Sequence, residues 1–291
     1  MSSDIMSMTE PRPRRQRSQD SGATDAALLF DEPGPRGRIL IAIGSVVAVI
    51  GIAALAAAVL YRLDLAGQLD YPKWRYFLGQ SVVSQLLEAA GTTLTLGGVA
   101  AVLTFPLGIA LGWLRLLDNR PIKWLVGLWV DAMRAVPMLL LVYFFLLVVP
   151  RFATISDFWK LALPIVMCTS ATTAEVFRSG VRALDRGQTE AAWALGMSSS
   201  LTMRLILAPQ ALRLMLPTLI TQMVTIIKGT TLAYVLAYPE LMYRGSTMIG
   251  QAKIDAHLSV FFQTYVIIAV LYIIVNWSLG ALARYIESRT R

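Results

Sequence analysis

Four ionisable side chains stand inside or at the edge of apolar sequence: Arg134, Glu175, Arg178 and Lys228. A charge held in hydrocarbon is costly, so such groups face a bundle interior or a water-filled cavity. Lys228 is followed by Gly229, Thr230 and Thr231, after which the apolar sequence continues to Pro239. A glycine and two threonines favour a break in a helix. The freed backbone groups, two hydroxyls and an ammonium could then hold a polar solute that carries a carboxylate. Alternatively, the Lys228 stem lies along apolar surface and its charge reaches outward to an interface. Both readings are open on sequence. Glu175 can pair with Arg178 on one helical face or with Arg134 across a bundle. Arg134 precedes Pro137 and an apolar run, as a helix-end anchor does. Arg178 closes its apolar segment and reads as a topology anchor.

The elements that must position these groups follow from composition. The 291-residue chain has a mean hydropathy of +0.60 and only 15% charged residues, too apolar for an ordinary soluble domain. Residues 39–60, 89–114 and 258–283 contain no Asp, Glu, Lys or Arg. Each is long enough to cross a bilayer core of about 30 Å, which needs roughly 20 helical residues. Segments at about 135–150, 158–178 and 211–228 are weaker candidates. The expectation is an all-α integral membrane protein of about six transmembrane helices.

Seventeen of the 26 Lys and Arg residues fall in the N-terminal tail, around 115–123, between 178 and 213, and after 283. Eight fall in the alternate segments, and Arg134 lies within a span. Basic residues accumulate on the cytoplasmic side, so both termini are expected there. The formal charge of +8 is on this reading a topology signal, and nucleic acid is not an expected partner. Residues 1–38 are basic, polar and Pro-rich, and read as a disordered cytoplasmic tail. The single cysteine, Cys168, lies in an apolar segment and suits packing, and His257, the single histidine, has no second metal-type residue beside it. No zinc-type spacing, phosphate-binding GxxxxGK[ST] pattern or nucleophile motif is present. Covalent chemistry by this chain is not expected, and neither is a bound metal or cofactor.

Between two apolar regions stands RALDRGQTEAAWALGMSSS, residues 182–200. Asp185 followed by Gln188 has the form of a capping box with Asp at the N-cap. Gly196 suits the left-handed position after a helix end. A helix of about ten residues between them is marginal alone in water and needs a surface to pack on. That surface could be another protein's groove or the membrane.

Glu190-Ala191-Ala192, Gly196, Ile206 and Pro209 resemble the EAA loop of bacterial ABC importer permeases. GTTLTL (91–96), RAVPMLLL (134–141), EVFRSGVRALDRGQTEAAWALGM (175–197), APQALRLMLPTLITQMV (209–224) and KGTTLAYVLAYPEL (228–241) are similar, in that order, to polar amino-acid permeases. Ala208 stands where that family usually has Leu, and Gly229 where Asp or Asn is common. LLFDEPGPRGR and DYPKWRYF, on either side of the first apolar run, resemble the glutamate permeases of actinobacteria.

The resemblance implies a five-helix importer core over residues 75–285, an extra N-terminal helix at 39–60 and a short tail at 286–291. It implies a loop at 185–200 that couples to a cytoplasmic ATPase through Glu190, Ala191, Ala192 and Gly196. Implied partners are a second permease subunit (the same chain or a different one), an ABC ATPase dimer carrying ATP and Mg2+, an extracellular amino-acid-binding protein, and the bilayer of a bacterial cell membrane. Glutamate or aspartate is the implied cargo, with Lys228, Thr230, Thr231, Arg134 and Glu175 as substrate-path candidates. The competing class is a membrane-embedded enzyme or a structural membrane subunit. No acid, base, metal or nucleophile cluster at membrane depth supports it.

Overall fold

The computed structural model describes residues 34–290, so the expected disordered tail falls almost wholly outside the described residues. All regular structure among them is helical. The chain divides into two units, one ending at Ala66 and one beginning at Gly67. Of the first unit, helix α1 is described, Pro35–Leu65. It starts with Pro in its first turn, where a missing N–H costs nothing. It overruns the expected 39–60 at both ends, and its most apolar stretch has no buried residue. Apolar on every side, it has the length and composition of a membrane span.

The second unit contains α2 (Gln80–Leu114), α3 (Arg120–Ala135), α4 (Met138–Leu147), α5 (Asp157–Arg182), α6 (Arg186–Ala194), α7 (Ala208–Gly229), α8 (Leu241–Asp255) and α9 (Phe261–Thr290). Among the described residues four stretches are long and apolar enough to cross a membrane: Arg36–Leu65, Gln80–Leu114, Ser199–Leu236 and Phe261–Leu282. α3 and α4, bent by 96° at the Val136-Pro137 junction, make a fifth if taken as one span. The expected span at 158–178 is α5, which has the length but not the apolarity of the others. It packs against α2, α3, α4 and α7. A helix walled in by other helices can carry Thr169, Ser170 and Thr173 without presenting them to lipid.

The α2–α5 contact is the main seam of the bundle. Gly108 and Gly112 lie one turn apart on α2, and a Cβ at either would fall within 2.9 Å of backbone oxygens of α5, those of Ser170 and Ala174. The two backbones therefore approach over a small-xxx-small stripe, the usual way of packing helices in lipid. Just above it the Thr104 and Thr169 hydroxyls share a hydrogen bond of 2.8 Å. Phe177, Val181, Ala208, Ala211 and Met215, with Leu207 just before α7, seal α5 to α7. Cys168 is buried in α5, in keeping with a packing role.

Candidate functional site

α6 is set by its ends. The Asp185 carboxylate accepts the Gly187 N–H at 2.7 Å. Gln188 does not close the expected box, because its Oε1 accepts from Gln210 Nε2 at 2.8 Å, which ties α6 to α7. At the other end Gly196 has φ +77°, its N–H donates to Trp193 O, and Met197 N–H donates to Ala192 O. This pair of bonds is a Schellman motif, and the positive φ is why glycine stands there.

The helix rests on Ser199–Leu207, and within it Ala192 is turned inward at 2% exposure. Ala192 is thus a seating residue, whereas Glu190, Ala191, Ala194 and Gly196 are exposed. Trp193 is 55% and Leu195 82% exposed. Small and apolar residues with one carboxylate make a face that the chain's own fold leaves uncovered.

A second place is the end of α7. The α-helix stops at Gly229 and tightens into a 3-10 segment, Thr230–Leu236, which ends on Ala237 with φ +53°. The expected break is there, although the chain winds more tightly instead of opening. Thr230 is buried, its hydroxyl donating to Ile227 O at 2.7 Å. The Thr231 hydroxyl donates to Lys228 O at 2.8 Å. The Lys228 side chain is exposed and has no hydrogen-bond or ion-pair partner among the described residues. A Cβ on Gly229 would lie 3.4 Å from Met138 Sδ and 3.7 Å from Ile165. That surface abuts α4 and α5.

Arg134 and Glu175 are elsewhere. Glu175 is ten residues beyond Ile165 on α5, about 15 Å along the axis. Its carboxylate accepts from Arg115 at 2.8 Å, from Arg178 Nε at 3.1 Å, and from a second Arg178 nitrogen. The i,i+3 pairing with Arg178 is as expected, while the cross-bundle partner is Arg115 and not Arg134. Arg115 also forks onto Asp131 at 3.1 Å, and Arg134 reaches Asp131 at 4.0 Å. The result is an ionic clamp across α2, α3 and α5. Arg134 sits in the last turn of α3, immediately before the bend.

Sequence reasoning passed over two residues. Arg115 was legible as a basic residue after a span, but not as a partner of Glu175. Glu240, in YPEL, is fully buried and caps α8, accepting from Met242 N–H, Tyr243 N–H and the Tyr272 hydroxyl. Its place before an apolar-periodic stretch was the available signal.

Residues 104–291 match the family described as binding-protein-dependent transport system inner membrane component, and the chain belongs to it. It is thus a multi-pass permease component of an ABC transport system, not an enzyme.

Among similar proteins is the glutamate transport system permease protein GluD of Corynebacterium glutamicum. It is 34% identical over 77% of this chain and 82% of its own length. The probable glutamine ABC transporter permease protein GlnP of Bacillus subtilis is 33% identical over 68% and 89%. A solved chain described as an amino acid ABC transporter with histidines superposes with a TM-score of 0.64. It is 24% identical and covers 72% of this chain and 95% of that one, a likeness of fold.

Proposed function

We propose that this chain is one permease half of an ATP-driven importer of polar amino acids, with glutamate or aspartate as cargo. α6 docks on a cytoplasmic ATPase that binds ATP and Mg2+, an extracellular binding protein delivers the amino acid, and a second permease subunit completes the path. Both termini face the cytoplasm, which puts α6 and the Arg115–Glu175 clamp on the inner side. The observation that carries the reading is the capped helix α6, which leaves Trp193, Leu195 and Glu190 uncovered within a matched permease fold. A short helix seated on Ser199–Leu207 and tied to α7 through Gln188 and Gln210 can transmit a push from a soluble motor into the bundle.

Lys228 and Thr231 are the substrate-path candidates that the fold supports best, since the ammonium is exposed and, among the described residues, unpaired beside a helix break. Thr230 supports that break from within. Glu175 and Arg134 serve the ionic clamp. The choice of glutamate rests on the similarity to GluD. Uptake of labelled glutamate, aspartate, glutamine and arginine in a strain lacking the gene tests it. Loss of glutamate and aspartate uptake, restored by the intact gene, is expected. Loss confined to another amino acid would reassign the cargo.

A further inference from the structure

The ends of α2 and α5 and one side of α3 border an open pocket of about 420 Å³, lined by Arg115, Lys123, Trp124, Asp131, Arg178 and Arg182 among others. Arg115 and Arg178 are engaged by Asp131 and Glu175. Lys123 and Arg182 have no carboxylate partner among the described residues. The lining itself holds four cations and one carboxylate, Asp131; even with Glu175 counted, which pairs Arg115 and Arg178 without lining the pocket, two positive charges are left over. Structural ion pairing therefore accounts for half of the basic lining and leaves the other half unexplained.

The wall formed by α3 suggests what occupies it. This helix is strongly two-faced and turns by 96° into the apolar α4, the geometry of a helix lying in the plane of a membrane surface. Trp124, 69% exposed, and Leu128, 54% exposed, stand one turn apart at the cavity, and Trp129 and Leu125 are exposed on the same helix. Tryptophan concentrates at the headgroup level of bilayers, and basic pockets between transmembrane helices bind anionic headgroups. A guanidinium and an ammonium beside an apolar strip match a phosphate carrying acyl chains.

We propose that this cavity holds the phosphodiester headgroup of an anionic phospholipid of the cytoplasmic leaflet, gripped by Lys123 and Arg182 with its acyl chains along Trp124 and Leu128. The leaflet assignment rests on the orientation proposed above. The lipid would brace the ionic clamp from which α5 leads into α6.

The test uses the full chain, purified in detergent and titrated with phosphatidylglycerol or phosphatidylcholine while bound lipid is counted by native mass spectrometry. Retention of one phosphatidylglycerol in preference to phosphatidylcholine is expected. Lys123→Gln/Arg182→Gln should weaken that retention about 30-fold, whereas Lys123→Arg and the exposed control Arg204→Gln should leave it intact. Neither glutamine replaces a residue with an ion pair among the described residues, and an unchanged thermal transition verifies folding.

Equal retention of both lipids, or a double variant that binds like wild type, overturns the proposal. Displacement by inorganic phosphate at matched concentration would make this a free-phosphate site and overturn the lipid. Labelling Lys123→Cys with a membrane-impermeant maleimide in inverted and right-side-out vesicles separates the two readings, because native Cys168 is buried. Labelling from the outer side alone defeats the orientation. Inner-side labelling without lipid preference defeats the lipid and leaves the orientation standing.

Discussion

Replacing Glu175 with Leu keeps most of the side-chain bulk and removes the carboxylate that joins Arg115 to Arg178. The Glu175, Arg115 and Arg178 side chains are 21%, 17% and 19% exposed, so water can replace only part of what is lost. A hydrogen bond to a charged group contributes about 1.5 to 3 kcal/mol, and orphaning a buried charge costs about 3 to 5 kcal/mol. Arg115 keeps Asp131, whose side chain is 59% exposed and a weaker partner. The net loss should therefore be at the lower end, about 3 kcal/mol. For a unit the size of Gly67–Arg291 each kcal/mol moves the melting temperature by about 2 to 4 °C, giving a fall of about 6 to 12 °C.

Tryptophan fluorescence of the detergent-purified chain measures this. Glu175→Leu/Arg178→Leu should recover part of the loss, since it removes one stranded cation together with its partner. An unchanged melting temperature in Glu175→Leu, or strictly additive losses in the double variant, would refute the clamp.

Further outcomes follow from the other sites. Glu190→Lys and Gly196→Asp should abolish uptake while the protein stays in the membrane fraction; normal uptake with the ATPase still recruited would remove α6 from coupling. Lys228→Met should weaken substrate binding about 10- to 150-fold, the equivalent of one charge-assisted hydrogen bond, with basal ATP hydrolysis retained and a smaller effect from Thr231→Val. Wild-type uptake in both would assign Lys228 to an outward-reaching interface role. Gly112→Val sets a Cβ 2.6 Å from Ala174 O and should destabilise the chain by about 1 to 3 kcal/mol, read as a lower melting temperature. A reporter fused at residue 70 should score as extracytoplasmic, and a cytoplasmic score would break the proposed topology.

Much of the fold was legible in residue patterns, and the omissions have physical causes. Uncharged runs mark α1, α2 and α9 because lipid selects composition. α5 is a weaker signal because other helices enclose it, and enclosed surface tolerates polarity. The ends of α6 were readable from Asp185 and Gly196, since caps are local. Gln188 was misassigned because its partner, Gln210, is 22 residues away. Periodicity gives a helix its face but not its neighbour, so Arg115 passed for a topology charge. The whole of α3 was missed, although Asn119 accepts from Ile122 N–H as an N-cap and Pro121 lies in the first turn. Gly108 and Gly112, spaced as GxxxG within an apolar run, could have revealed the α2–α5 seam.

The central claim is that ATP hydrolysis on a partner drives an amino acid through this chain by way of α6. Glutamate accumulation in proteoliposomes containing this chain, the second permease, the ATPase and the binding protein tests that claim most directly. ATP-dependent accumulation is expected with the wild-type chain and none with Glu190→Lys, even though the complex assembles in both. Accumulation without ATP, or equal accumulation with Glu190→Lys, would contradict that claim.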